Sequence, residues 1–340
     1  MVVWLKFALL AAAIGYSGWR LSAYGDIIAE KKGWGRVWLG TALMAGVTSL
    51  PELVTGLSSV TVAGAPDIAI GDVLGSCAFN LVLISLLDLA YALRGRASVF
   101  DFTSRGHVIT AGFGVVMLGS VSLSLALRPI WGVPGVGRVG WVSLVLALLY
   151  VVAVRSIFRY ETAAAQPPET GYAELYGDVT LAKAVRGYAL NSLVVIGAGS
   201  YLPFLGQEIA AYQGWDTSLV GTLFIALATS LPEVMVTAGA LRLGAIDLAV
   251  GNVLGSNLFN LVILFADDLA YGAGPLLARA APVNMITAMV AIVMTGLVVV
   301  GLILRPRRAA APLLSWITLG ILLLFGLNVA VLARLQALGG

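Results

Sequence analysis

One stretch of the chain occurs twice, once in each half. Residues 40–52 return as residues 221–233, and both copies end in Thr-Ser-Leu-Pro-Glu, at an offset of 181. Further along, residues 67–80 return as residues 247–260, and both copies end in Gly-Ser-x-x-Phe-Asn, at an offset of 180. The two motifs keep their order and nearly their spacing. The fold must therefore contain two related halves, each with one copy of the same unit.

The composition places these halves in a membrane. The chain has 60% hydrophobic and 11% charged residues and a mean hydropathy of +0.98, whereas about a quarter of the residues in a soluble domain are charged. Its 340 residues leave room for about ten spans of roughly 20–25 residues each. The first apolar stretch lacks a charged leading region and continues into more apolar sequence, so it is predicted to be a span and not a removed signal. A single cysteine excludes an intramolecular disulfide and a cysteine-based metal cluster.

Apolar runs bounded by charged residues, Gly and Pro predict ten spans. These predicted spans are residues 2–29, 37–62, 67–92, 106–127, 138–158, 181–211, 217–241, 247–271, 281–303 and 312–334. If successive spans alternate in direction, most Lys and Arg residues fall on one side. The positive-inside rule then predicts that both termini lie outside the cytoplasm, as in a multi-pass protein of the cell's inner or plasma membrane.

The polar segment 161–180 divides the predicted spans into two sets of five. The chain is therefore predicted to comprise a first repeat, residues 1–160, a short cytoplasmic linker, residues 161–180, and a second repeat, residues 181–340. An odd number of spans per repeat forces the second repeat to enter the membrane from the opposite side. We predict an all-α polytopic membrane protein with ten transmembrane helices in two inverted five-helix repeats, which is a pattern of secondary transporters.

Each copy of the repeated unit places a carboxylate in an apolar segment, which is costly at membrane depth and indicates a functional site. Hydroxyl residues precede each carboxylate at helical spacing, and the next span of each half has a Ser and an Asn one turn apart. The candidate side-chain ligands are Glu52, Glu233, Thr48, Ser49, Thr229, Ser230, Ser76, Ser256, Asn80 and Asn260. A shell of oxygens without nitrogen or sulfur suits hard cations such as Na⁺ and Ca²⁺.

A proline precedes each of these glutamates. Pro51 and Pro232 lack an N–H group, so each is expected to kink or break its helix and to free carbonyl oxygens in the preceding turn. The carbonyls from Ala45 to Thr48, and the equivalent ones from Ala226 onwards, are the candidates. Irregular backbone at membrane depth is tolerated where it lines a polar cavity. A bound cation would satisfy such oxygens.

These motifs resemble those of the sodium/calcium exchanger family, in the cation/calcium exchanger superfamily with its paired alpha repeats. The resemblance implies that Glu52 and Glu233 are the central ligands, shared between Ca²⁺ and the counter-transported ion. The remaining hydroxyl and amide candidates, with backbone oxygens of Ala45 and Ala226, would complete the sites. It also implies that the first and sixth spans slide across this core, and that the only bound groups are the transported ions, without a cofactor.

Two features bear on the coupling ion. K⁺-dependent members carry Asp at the position of Asn260, so the Asn here argues against K⁺ co-transport. Proton/calcium members usually carry a Gly-Asn-Ala-x-Glu type of motif, which this sequence lacks. The resemblance therefore predicts an antiporter that exchanges Ca²⁺ against Na⁺ by alternating access.

Three alternatives remain open. Paired glutamates also bind protons, so an H⁺-coupled antiporter of Ca²⁺ or another cation is the main rival. A cation channel is the second, although channels are usually built from rings of identical groups around a continuous pore. An enzyme is unsupported, because neither a His-Glu-x-x-His motif nor a nucleophile with a base is visible. The expected partners are transported cations and membrane lipid, with no nucleic acid or soluble partner implied.

Overall fold

The computed structural model describes residues 2–32, 45–94, 98–164, 179–243, 246–305 and 315–339. These residues are nearly all helical. In chain order the elements are α1 Val2–Lys32, α2 Ala45–Thr48, α3 Leu50–Ser58 with a π-helical turn Ser59–Ala63, α4 Pro66–Leu93, α5 Val99–Phe102, α6 Gly106–Trp131, β1 Gly135–Val136, β2 Val139–Gly140, α7 Trp141–Ala164, α8 Leu181–Gln213, α9 Thr217–Val220 with a π-helical turn Gly221–Ile225, α10 Ala226–Thr229, α11 Leu231–Leu243, α12 Ile246–Tyr271, a 3₁₀ turn Leu276–Arg279, α13 Pro282–Leu304 and α14 Trp316–Gly339. The two strands form one short antiparallel hairpin.

Eight helices in the described part of the chain are long and apolar enough to cross a membrane. A ninth candidate is the broken pair Thr217–Thr229 and Leu231–Arg242, bent by 42°. The shorter apolar helix Leu50–Ala63 coincides with the second predicted span, of which residues 37–44 lie outside the described residues. Most of the predicted linker, residues 165–178, also lies outside them. The architecture is that of a multi-pass membrane protein.

Helices α4 and α12 form the centre of the molecule. They are the most deeply buried of the long helices and are largely apolar, with the polar residues of the repeated motif in their first halves and a few acids and one serine further on, at Ser85, Asp88, Asp267 and Asp268. Pro66 begins α4, where its missing N–H costs no helical hydrogen bond. Such all-round burial is expected of a helix enclosed by other helices. It also removes the motif residues from solvent.

Small residues bring α4 close to the broken segment of the second half. A Cβ added to Gly75 would lie 2.2 Å from the carbonyl oxygen of Thr222, and one added to Gly221 would lie 2.9 Å from that of Ile68. These distances are too short for any side chain. The two backbones therefore touch directly, as in small-residue packing of membrane helices.

Helices α1 and α8 pack extensively against each other beside this centre. Each also crosses a broken helix at its proline. A Cβ on Gly18 of α1 would lie 2.2 Å from Cγ of Pro232, and a Cβ on Gly199 of α8 would lie 3.4 Å from the carbonyl oxygen of Pro51. Gly18 and Gly199 are themselves related by the offset of 181. The two outer helices therefore meet the two broken helices at equivalent points.

The predicted breaks occur at the same place in both halves. Between α2 and α3, Ser49 has φ −85° and ψ 13°, and between α10 and α11, Ser230 has φ −80° and ψ 4°. Each break lies two residues before a proline, which cannot donate to the preceding turn. A glutamate lies in the first turn of the helical segment after each break.

Candidate cation site

The two glutamates of the repeated motif are completely buried. Oε1 of Glu52 accepts hydrogen bonds from Oγ of Ser230 at 3.3 Å and from Oγ of Ser76 at 3.4 Å. Oε1 of Glu233 accepts one from Oγ of Ser49 at 3.4 Å. Each glutamate is therefore contacted by the serine at the break in the opposite half.

The second carboxylate oxygen of each glutamate is available. Among the described residues, Oε2 of Glu52 and Oε2 of Glu233 lack a hydrogen-bond partner although both are buried. A buried carboxylate oxygen without a partner is costly, because it has lost its water without compensation. A bound cation would supply that compensation.

Hydroxyl groups of the motif also meet across the two halves. Oγ1 of Thr48 lies 3.0 Å from Oγ of Ser256, and Oγ1 of Thr229 lies 3.4 Å from Oγ of Ser76. Oγ of Ser230 lies 3.0 Å from Oγ of Ser76. All eight predicted Glu, Ser and Thr residues therefore belong to contacts that join the two copies, and all eight are buried.

The expectation that Ala45 and Ala226 offer free carbonyl oxygens is wrong. The oxygen of Ala45 accepts the N–H of Ser49 at 3.0 Å, and that of Ala226 accepts the N–H of Ser230 at 3.0 Å. Each also receives a threonine hydroxyl at 3.2 Å. The helix continues to the residue before each serine, so a proline deprives only the carbonyl four residues before it. The alanine oxygens lie at the site but already have partners.

The two predicted asparagines are buried on α4 and α12 but are not equivalent. The Nδ2 group of Asn80 donates to Oδ1 of Asn257 at 3.0 Å. Both polar atoms of Asn260 are without a hydrogen-bond partner within the described ranges. The sequence did not predict Asn257 as a partner of Asn80. In the first copy, position 77 is a cysteine, so the repeat gave no signal for it.

A further acid, Asp72, belongs to the same group of contacts. Its carboxylate is completely buried, and Oδ1 accepts a hydrogen bond from Oγ1 of Thr229 at 2.8 Å. Asn252, at the matching position in the second copy, accepts one from Oγ1 of Thr48 at 3.5 Å. In the sequence, the signal for Asp72 is its position one helical turn before Ser76.

Asp267, near the end of α12, is also buried. Neither of its carboxylate oxygens has a hydrogen-bond partner in the described part of the chain. A Cβ added to Gly56 would lie 2.4 Å from Oδ2 of Asp267. The absent side chain at position 56 thus makes the space for this carboxylate.

The candidate ligand atoms of the site are oxygens. Within the described ranges, no three His, Cys, Asp or Glu side chains lie together in a group that could hold one metal ion. Hydroxyl, amide and carbonyl oxygens would have to complete the coordination of any cation held by the glutamates. Such mixed oxygen shells suit Na⁺ and Ca²⁺.

The comparison with protein-family models identifies the family of this chain. The model of the sodium/calcium exchanger protein family matches residues 2–158 and 184–333. The chain belongs to this family. Members are membrane transporters, and the matched ranges contain both copies of the repeated unit and every residue of the site described above.

Curated relatives agree with the sodium/calcium exchanger family. The inner membrane protein YrbG of Escherichia coli is 29% identical over 255 residues, which are 73% of this chain and 74% of the relative. The putative antiporter CaxA of Alkalimonas amylolytica is 27% identical over 253 residues, 72% of each chain. The sodium/calcium exchanger MaX1 of Methanosarcina acetivorans is 32% identical over 83 residues, 24% of each chain.

Solved exchanger structures share the fold. A structure of the sodium-calcium exchanger NCX_Mj, soaked with Na⁺ and Sr²⁺, has a TM-score of 0.60 at 21% identity and covers 97% of this chain and 98% of its own. The H⁺/Ca²⁺ exchanger CAX has a TM-score of 0.71 at 15% identity and covers 98% of this chain and 86% of its own. At these identities the likeness concerns the fold. The sodium-calcium exchanger and the H⁺/Ca²⁺ exchanger both have this fold.

Proposed function

We propose that this protein is a secondary antiporter that exchanges Ca²⁺ against Na⁺ at the site between the two broken helices. The observation that carries the proposal is the pair of buried glutamates, Glu52 and Glu233, each with one oxygen free of partners among the described residues. Two carboxylates match the charge of one Ca²⁺ or of two Na⁺ ions, so these ions can replace one another without leaving the site uncompensated. Family membership supports exchange over a channel.

The proposed architecture is ten spans in two inverted repeats, residues 1–160 and 181–340, joined by a linker. Three pairs of contacts support a pseudo-two-fold axis. Each glutamate accepts a hydrogen bond from the serine at the break in the opposite half. Each motif threonine contacts a serine of the opposite half. Each outer helix crosses the broken helix of the opposite half at its proline. Reciprocal contacts of this kind are expected when inverted repeats share a midplane site.

In this proposal the outer helices provide alternating access. Helices α1 and α8 pack on each other and touch the broken helices at two glycines, Gly18 and Gly199. Small residues at both crossing points allow the helices to move past the prolines without interlocking side chains. The pair would then open the site to one side of the membrane at a time.

The decisive experiment is Ca²⁺ uptake into proteoliposomes with an imposed outward gradient of Na⁺, K⁺ or H⁺. We expect Na⁺ to drive uptake, K⁺ neither to replace Na⁺ nor to be required with it, and acid to inhibit by protonating the glutamates. Uptake driven by a pH gradient in Na⁺-free buffer, at the Na⁺-driven rate, would favour the H⁺-coupled antiporter instead. Ca²⁺ flux down its own gradient without any counter-ion would indicate a channel.

A further inference from the structure

Helix α8 contains a proline that deprives one backbone carbonyl of its helical partner. Pro203 lies inside α8 and has no N–H group to donate to the carbonyl oxygen of Gly199, four residues earlier. Such an oxygen is costly at membrane depth unless another donor reaches it. A Cβ added to Gly199 would lie 3.4 Å from the carbonyl oxygen of Pro51. The deprived carbonyl therefore lies where α8 crosses the broken helix of the first half.

A side chain of α3 supplies the missing hydrogen bond. Oγ1 of Thr55 donates to the carbonyl oxygen of Gly199 at 3.2 Å, and Thr55 is completely buried. About one turn further along α3, Oγ of Ser58 donates to the carbonyl oxygen of Ser200 at 2.7 Å. The two hydroxyls therefore attach α3 to the turn of α8 that precedes its proline.

A third hydrogen bond runs from α8 back to the first half. Nε2 of Gln207 donates to the carbonyl oxygen of Ala63 at 2.9 Å. Ala63 is the last residue of the π-helical turn after α3, and the last carbonyls of a helix have no partner within it. We call the three hydrogen bonds donated by Thr55, Ser58 and Gln207 the α3–α8 latch.

The crossing in the other half lacks the groups that form this latch. At the offset of 181, Pro203 is replaced by Ser22, which keeps its N–H group. The three donors are replaced by residues without a side-chain donor at neutral pH: Val236, Gly239 and Asp26. There α1 crosses the broken helix with a glycine packed on a proline ring. The latch is therefore a feature of one crossing and not of the repeated motif.

We propose that the α3–α8 latch is a reversible fastening that closes one side of the site, and that its three donors are positioning residues for alternating access. This inference rests on the proposed function, because the latch must open when α8 moves past α3. Thr55, Ser58 and Ala63 all follow Glu52 along the chain. The latch thus lies between Glu52 and the end of this segment, which is the extracytoplasmic end in the predicted orientation.

The consequence is a built-in preference between the two access states. The hydrogen bond to Gly199 can form only while that residue lies beside Thr55, so it stabilises this arrangement and no other. The net contribution of one hydrogen bond is enough to change a two-state ratio several-fold. Because each bond is single and uncharged, it also breaks at modest cost. The latch therefore biases the transporter without locking it.

Distances between two spin labels test whether the latch controls this ratio. The labels are attached to Val62→Cys and Tyr212→Cys, which replace exposed residues near the same end of the π-helical turn and of α8. The native cysteine, Cys77, is completely buried and is not expected to take a label. The full chain is reconstituted in liposomes and measured with Na⁺ and with Ca²⁺. The ratio of the longer to the shorter distance reports how often the latch is open.

Thr55→Val keeps the shape of the side chain and removes its hydroxyl, so we expect the ratio to rise by at least about threefold. Pro203→Ala restores an N–H group for the carbonyl of Gly199. In that background Thr55→Val should change the ratio by less than about twofold, because the carbonyl then has a helical partner. Thr61→Val is the matched control, since the hydroxyl of Thr61 donates to the carbonyl of Leu57 in its own segment. It should leave the ratio unchanged.

An unchanged ratio in Thr55→Val would overturn the inference. An equal change with and without Pro203→Ala would do the same, because the hydroxyl would then not act through the carbonyl of Gly199. If Thr55→Val does not fold, Gln207→Leu decides the question: a higher ratio supports the latch, and an unchanged one contradicts it. A ratio that shifts in the variants but does not respond to Na⁺ or Ca²⁺ in wild type would support the latch and contradict the proposed exchange.

Discussion

The glutamates of the two breaks, like Asp72, are buried acids whose hydrogen-bonding capacity is only partly filled. Each receives a hydroxyl from the opposite half and keeps one oxygen without a partner among the described residues. In an acid with a structural role, both carboxylate oxygens have hydrogen-bond partners. Asp268, for example, accepts hydrogen bonds from the N–H groups of Gly140 and Leu276 and from the hydroxyl of Ser143. Unused bonding capacity together with a hydroxyl donor from the opposite half therefore makes these carboxylates the candidate ligands.

Glu52→Gln and Glu233→Gln should each abolish exchange in a folded protein. Either change removes one of two charges facing the Ca²⁺ site, and we expect Ca²⁺ binding to weaken at least roughly 100-fold, about 2.7 kcal/mol. Ca²⁺ uptake into proteoliposomes and Ca²⁺ titration in detergent measure the two effects. Glu208→Gln is the control, because Glu208 forms a partly exposed ion pair with Lys6. Near-normal uptake by either site variant would rule out the paired-carboxylate site.

At this scale the sequence predicted which side chains of the two copies lie together better than it predicted their individual contacts. The glutamates and hydroxyls could be predicted because they recur at a fixed offset and share a helical face. The partner of Asn80 could not, because the rotation of α4 against α12 decides that it meets Asn257. The involvement of Asp72 could not either, because its repeat partner is neutral and only the approach of Thr229 shows that it belongs to the site.

At the scale of elements, the structure depends on close contacts between backbones. Gly75→Ala should destabilise the protein by about 1–3 kcal/mol, as overpacking of a full core does. The added methyl would lie 2.2 Å from the carbonyl oxygen of Thr222, and neither α4 nor the segment after α9 can yield easily. Gly112→Ala in α6 is the matched control, because no described residue lies within 4 Å of the added atom. Thermal unfolding in detergent should show a lower Tm for Gly75→Ala only.

Gly18→Ala tests the proposed movement of the outer helices. Its methyl group would lie 2.2 Å from the ring of Pro232, at the point where α1 crosses the broken helix. We expect a slower exchange rate with Ca²⁺ affinity nearly unchanged, because the glutamates are not touched. Gly197→Ala in α8 should have no effect, since its methyl group would meet no atom within 4 Å in the part of the chain that the structure describes. Equal rates for the two variants would argue against sliding at this crossing.

Helix breaks could be predicted from the sequence, whereas π-helical turns could not. Both breaks could be predicted from Pro51 and Pro232, and the structure has them at Ser49 and Ser230. The π-helical turns, Ser59–Ala63 and Gly221–Ile225, could not. Ser59–Ala63 follows its break, whereas the second half continues after its own break as the α-helix Leu231–Leu243. This turn therefore follows from packing and not from the repeated motif.

At the scale of the whole molecule, the two copies of the motif form one site. The reciprocal contacts between halves mean that neither half contains all of the proposed ligands. Thr48 needs Ser256, and Glu52 needs Ser230. A chain of this kind gains its site only when both halves fold together. This explains why the sequence motif is duplicated while the site is single.

The orientation of the whole chain is the last prediction. Both termini should face away from the cytoplasm and the linker should face it, because most Lys and Arg residues lie on the linker side of the predicted spans. A thiol reagent that cannot cross the membrane, applied to intact cells, should label Gly339→Cys but not Ala164→Cys. Wild-type protein is the background control, since its single cysteine, Cys77, is completely buried. The reverse pattern would invert the orientation. Labelling of both would contradict an odd number of spans in each repeat, and with it the inverted relation from which the shared site follows.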